Sequence, residues 1–257
     1  MILWSLCVDV ADTTPHFDLL DGEFGRRPRT AVFLYPADDA VYDEWVDGGP
    51  VAAAVVDGLD QFVEFGALGG YAAFTLAPSE PFVADDGGAD YDDTTKAAFV
   101  DAFETYTERH PELYGARGLH YGVAGGFDGG GGFSADELDE LAFTTNCRMV
   151  VGTASEDAAR VEAFTKQELG HALVGYRHLA KTSVLVERGS HMHEHDTGVV
   201  SPSGEVSPMA VTYHDSHAAH GACANGHPHF RGYDPNYTDC TKLAVERTAE
   251  AVFGGEG

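Results

Sequence analysis

The sequence predicts an α/β fold: a mixed, twisted sheet with helices in an N-terminal lobe, then a small irregular lobe that closes in a helix. Three observations predict it. Short β-branched and aromatic runs alternate with stretches of helical periodicity as far as about residue 175. Hydrophobic residues make up 44% and aromatic residues 11% of the 257 positions, which is enough for a packed core. Past residue 175 the composition turns to Gly, Ser, Pro and His, and ten of the 13 histidines fall between His171 and His229. The expected division is therefore 1–175 and 176–257.

The elements follow in order. Met1 to Val10 is apolar but has no basic leader and no small-residue cleavage site, so it reads as a strand and not as a signal peptide. Thr30 to Tyr35 reads as a strand stopped by Pro36. Pro50 suits the first turn of a helix that carries apolar residues at helical spacing from Val51 to Phe65. Tyr71 to Leu76 is strand-like, and Asp92 to Arg109 is an amphipathic helix with Asp92 or Asp93 as its cap. Gly118 to Ala124 and Asn146 to Gly152 are further strands. The run Gly125-Gly126-Phe127-Asp128-Gly129-Gly130-Gly131-Gly132 between them lacks the Lys-Ser/Thr of a phosphate loop. Its glycine content predicts a flexible connection, with a substrate-facing lip as the second reading. A helix is expected from Ser155 to Val174 with Gly175 as its stop, and a last amphipathic helix from Thr238 to Phe253.

Charge narrows the function classes. The 42 Asp and Glu against 15 Lys and Arg give a formal net charge of −27. Only four of the basic residues are lysines: Lys96, Lys166, Lys181 and Lys242. Such a charge repels itself in dilute buffer, whereas at molar salt the Debye length falls to about 3 Å and the repulsion is screened. The composition is that of a protein working in high salt. It excludes a nucleic-acid partner, which needs a basic face. No apolar run approaches the ~20 residues of a membrane span.

The cysteines are Cys7, Cys147, Cys223 and Cys240, with no CxxC pair. Cys223 and Cys240 flank a Gly/Pro/His-rich loop with little apolar content, so a disulfide between them would restrain it and would imply an oxidising, extracellular setting. Two buried thiols are the other reading.

The chemistry concentrates in Thr165-Lys166-Gln167-Glu168-Leu169-Gly170-His171. Zinc peptidases use His-Glu-x-x-His on a helix because residues one turn apart face the same way. Two imidazoles then reach one metal while the Glu takes a proton from its water. Glu168 and His171 are present here, and Gln167 stands where the first His would be. A Glu and a His three apart on a helix are otherwise a surface pair. Downstream come His193-Glu194-His195-Asp196 and then Ser207-Pro208-Met209-Ala210, with Tyr213 nearby.

In this order (Glu-x-x-His helix, further histidines, a Ser-Pro-Met turn, a C-terminal helix) the chain resembles the metzincin clan of zinc metallopeptidases. The resemblance implies a zinc cofactor, Glu168 as catalytic base, and Met209 in a turn beneath the metal. It implies metal ligation by His171 and by a third ligand. His178 falls one residue late for the clan's spacing, and His195, set among carboxylates, is the preferred residue. Gln167 departs from the clan's pattern, and an amide oxygen ligates zinc poorly. The expected function is a metzincin-like zinc peptidase with weakened or lost turnover, acting on a peptide or protein. The alternative is a non-catalytic extracellular binding or structural protein on the same fold. A His-rich metal-binding module unrelated to proteolysis is a third reading. A Ser/His/Asp nucleophile has no Gly-x-Ser-x-Gly elbow to carry it.

Overall fold

The computed structural model describes residues 17–23, 28–76, 96–132, 141–143, 146–155, 157–175, 197–211 and 230–253. The chain is α/β, built on a six-stranded mixed sheet. Its strands are β1 (Phe17–Glu23), β2 (Arg29–Pro36), β3 (Gly70–Leu76), β4 (Gly118–Ala124), β5 (Asp128–Gly132) and β6 (Asn146–Thr153), in the spatial order β1-β3-β2-β4-β6-β5. The four central strands are parallel, and β1 and β5 close the two edges antiparallel to β3 and β6. Parallel neighbours need crossovers: in sequence α2 (Pro50–Phe65) lies between β2 and β3, and α3 (Lys96–Arg109) between β3 and β4, whereas β5 lies between β4 and β6.

Alternation along the strands sorts side chains to two faces. Val32 and Leu34 of β2, Leu119, Tyr121 and Val123 of β4, and Met149 and Val151 of β6 build one core. It is covered by α2 (Pro50–Phe65), α5 (Ala158–Leu173) and α6 (Asp239–Phe253). Phe33, Tyr35, Ala124 and Val150 point to the other face, which is covered by Phe99, Phe103 and Tyr106 of α3 (Lys96–Arg109). The remaining helices are short: α1 (Asp39–Val41), which runs into a π-helical turn at Tyr42–Val46, and α4 (Pro111–Tyr114). Residues from both expected lobes share the first core, since Met209, Tyr237, Ala244 and Val245 pack with the sheet residues.

Local chemistry sets the helix ends. Pro50 occupies the first turn of α2, and Gly66 stops it with a φ of 89°, a conformation that costs glycine little. The Asp157 carboxylate accepts from the Ala159 N–H at 3.1 Å and caps α5. Two expectations need correction. Helix α5 ends at Leu173 with Val174 extended, so Gly175 is not its stop; instead the Gly175 N–H donates to Thr248 Oγ1 of α6 at 3.2 Å. The glycine run is not a loose connection: Asp128–Gly132 is strand β5, paired along β6 from Asp128↔Thr153 to Gly132↔Met149. The absence of side chains there is a packing requirement, as shown below. The strand expected at Met1 to Val10 and the cap expected at Asp92 or Asp93 lie outside the described residues.

Among the described residues no helix is long and apolar enough to cross a membrane.

Candidate functional site

Helix α5 buries a run of polar residues. Thr165, Lys166, Gln167 and Glu168 are consecutive and between 0% and 4% exposed. Four neighbours on a helix point in four directions, so α5 is enclosed on all sides, and each polar group it carries must be matched.

Thr165 Oγ1 donates to Val161 O at 2.9 Å. The Lys166 ammonium pairs with the Asp57 carboxylate of α2 and donates to Pro235 O at 2.7 Å. Gln61 of α2 ties the same corner, donating to Asp57 Oδ2 at 2.8 Å and accepting from the Tyr237 N–H at 2.8 Å. Two buried phenols then clamp the helix backbone. Tyr121 of β4 donates to Thr165 O at 3.1 Å, and Tyr237 donates to Lys166 O. Burial pushes both phenols well above their ordinary value, and the negative charge of Glu168 adds to the shift in each; at Tyr237 the charge of Asp57 adds more than Glu168 does. Both therefore stay protonated donors at neutral pH.

Glu168 packs against the sheet's edge strand. A β-carbon on Gly130 would lie 2.7 Å from Glu168 Oε1 and from its Cγ, which is why β5 carries glycine there. Gly131, the next residue, faces the opposite side of the sheet, and there the Lys96 side chain of α3 occupies the space of a β-carbon. The Lys96 ammonium donates to Gly130 O at 2.7 Å. Ladder alternation fixes where that carbonyl points. The Ala154 N–H donates to Phe127 O at 3.0 Å, so Phe127 and Ala154 form a hydrogen-bonded pair. On regular ladder alternation Asp128, Gly130 and Gly132 turn their N–H and C=O groups away from β6, to the edge that no strand among the described residues pairs.

On another side of α5, Pro208–Ala210 forms a 3₁₀ turn, and the Met209 sulfur lies 2.3 Å from the position of a β-carbon on Gly170. Met209 is fully buried. The turn is held by a two-stranded parallel pair, β7 (Glu205–Val206) with β8 (Gly232–Tyr233).

The structure thus places four of the expected site residues together. Gln167, Glu168 and His171 share one stretch of α5, with His171 half-buried in the last turn, and Met209 lies against that stretch at Gly170. His195 and Cys223 lie outside the described residues. Cys240 is disulfide-bonded at the start of α6, with its partner outside the described residues, and Cys147 is a buried thiol. Among the described residues no three His, Cys, Asp or Glu side chains converge on a metal position. They offer one imidazole near Glu168, that of His171, short of the three protein ligands of a catalytic zinc.

Sequence reasoning missed Lys96, Lys166, Tyr121 and Tyr237. A signal was present for Lys166: in a chain with four lysines, one that lies inside a helical core stretch needs a carboxylate to answer for it.

No family model, no curated protein and no solved structure matches this chain.

Proposed function

We propose that the chain is a metzincin-like zinc peptidase-fold protein of a high-salt, extracellular setting, which binds an extended peptide along β5 and has weak or lost turnover. One observation carries the reading: the Glu168 carboxylate packs against Gly130, the residue whose backbone groups face the open edge of the sheet. An extended chain adding to that edge would take its hydrogen bonds from Asp128, Gly130 and Gly132 and lie about 4.8 Å outside β5. Its backbone would pass beside a carboxylate, the group needed to take a proton from an attacking water. The Met209 turn against Gly170 supports the same reading.

A zinc ion, when bound, would supply polarisation of the scissile carbonyl. The described residues do not by themselves fit it, since Gln167 stands in the first ligand position and His171 is one imidazole. His195 is the residue proposed to join His171. Gln167 favours the second reading, a peptide-binding protein without turnover on the same site.

The test is metal analysis and casein hydrolysis, in molar salt, for the native protein, Glu168→Gln and Gln167→His. Substoichiometric zinc is expected in the native protein. Gln167→His is expected to raise zinc affinity by at least the roughly 10–100-fold that outer ligand changes produce. Glu168→Gln is expected to abolish residual hydrolysis and leave zinc content unchanged. Zinc absent from all three, with no hydrolysis, would leave the binding protein.

A further inference from the structure

We infer that Lys96 is a displaceable cap on the open edge of β5, and that the peptide which replaces it carries an acidic side chain. The inference rests on the peptide-binding reading of that edge.

Gly130 O points away from β6, and it is the acceptor that an incoming strand's N–H would need. In this structure the acceptor is taken by the Lys96 ammonium at 2.7 Å. The stem of Lys96 runs over Gly131, where any β-carbon would block it. The cap and the glycine beneath it are therefore one device. Lysines across edge strands are a known way to keep an edge from pairing with the wrong chain.

This contact is built to be lost. Lys96 is exposed, and among the described residues no carboxylate pairs with it. Its stem holds four rotatable bonds, so releasing it costs little. Once a peptide N–H takes Gly130 O, the ammonium remains above Gly131, on the α3 side of the sheet, without that acceptor. A carboxylate on the peptide residue that faces the same side would supply a new partner. The opposite face belongs to Glu168, whose negative charge disfavours a second carboxylate there. One cation on one side and one anion on the other thus set a side-specific preference along the bound strand.

The test uses a blocked octapeptide of alternating Thr and Val with one central Asp, and its Asn twin. Binding is read by fluorescence anisotropy against the Glu168→Gln protein and against Lys96→Met in the same background, so that bound peptide is not consumed. Circular dichroism confirms that both remain folded. The Lys96 protein is expected to prefer the Asp peptide by up to about fivefold, the range of an exposed ion pair. Lys96→Met is expected to lose that preference and to bind the Asn peptide more tightly than the Lys96 protein does. Equal binding of both peptides by the Lys96 protein, with no gain for Lys96→Met, overturns the cap and leaves the edge reading standing. Absence of binding by either protein removes the edge reading and the cap with it.

Discussion

The sulfur of Met209 lies 2.3 Å from the place where a β-carbon of Gly170 would have to go. The 3₁₀ turn at Pro208–Ala210 can approach α5 this closely only because residue 170 has no side chain. Gly170→Ala gains up to about 1 kcal/mol of helix propensity but over-packs a sealed core at a cost of about 1–3 kcal/mol. Net destabilisation of up to about 2 kcal/mol is expected in urea melts at fixed molar salt. Met209→Ala alone is expected to cost about 2–5 kcal/mol through the cavity it leaves. The methyl group that Gly170→Ala introduces partly fills that cavity, so the double variant should be more stable than the two losses added, by about 1 kcal/mol or more. Simple additivity would mean that the two residues do not touch.

Lys166 and Asp57 make an unequal pair. The lysine side chain is 2% exposed and the aspartate 56%. Removing the carboxylate leaves an ammonium sealed in the core, with Pro235 O as its remaining acceptor among the described residues. Asp57→Ala is therefore expected to destabilise by about 3 kcal/mol, at the low end for a buried charge stripped of its partner because Asp57 is itself half in water. Lys166→Met, which removes the buried charge and keeps the stem, is expected to cost less than Asp57→Ala. Denaturant midpoints for the two variants decide it, and the opposite order would mean that the pair is a surface contact.

How much of this was legible in the sequence depends on whether a feature is local. Strands β2, β3, β4 and β6 and helices α2, α5 and α6 were read to within a few residues, because alternation and helical spacing are set by burial on one face. Strand β5 was not legible. Glycines carry no β preference; pairing with β6 makes this segment a strand, and glycine is required at 130 and 131 by the approach of Glu168 and Lys96 from 38 and 35 residues away, both tertiary facts. Strand β1 was missed because Phe17-Asp18-Leu19-Leu20-Asp21-Gly22-Glu23 breaks its alternation, and the register slips between Leu19 and Asp21. Gln167, Glu168 and His171 do lie on one helix, α5, as their spacing implies. The clamp from Tyr121 and Tyr237 came from a strand and a C-terminal segment that no spacing rule connects to it.

Salt should govern stability. With a net charge of −27, lowering ionic strength from molar to about 0.1 M lengthens the Debye length from about 3 Å to about 10 Å, and surface carboxylates begin to repel across the molecule. The melting temperature is expected to rise steeply between 0.1 M and 3 M KCl, concentrations set as roughly the two sides of that screening range. A cooperative melt at one temperature across that range would mean that the carboxylates carry no net repulsive cost.

His120 of β4 should impose an acid limit of its own. It is fully buried on the α3 face, stacked on Phe33 with ring centroids 4.9 Å apart and edge-on to Tyr114 at 4.8 Å. Its Nε2 lies 2.8 Å from Ala116 O, an acceptor only, so Nε2 carries the proton; Nδ1 then accepts from the Tyr35 hydroxyl at 2.7 Å. Both nitrogens are thus satisfied by the neutral ring. Burial lowers the imidazole from 6.5 to about 4, the bond to Ala116 O opposes this, and the positive charge of Arg148 adds to it. The folded state therefore binds a proton later than the unfolded state does. The contribution is fully present above about pH 6.5 and is lost progressively as the pH falls toward about 4, amounting to roughly 3 kcal/mol at the end of that window. Exposed carboxylates titrate at the bottom of the same range, so the measurement is a difference. Unfolding free energies of the native protein and of His120→Gln, which can still donate to Ala116 O and accept from Tyr35, are followed from pH 7 to pH 4 in molar salt. The native protein is expected to lose up to about 3 kcal/mol more than the variant. Nitrogen-15 spectra should also find the His120 ring neutral, with its proton on Nε2, at pH 5. Parallel pH profiles, or a charged ring at that pH, would show that the buried site accepts the imidazolium.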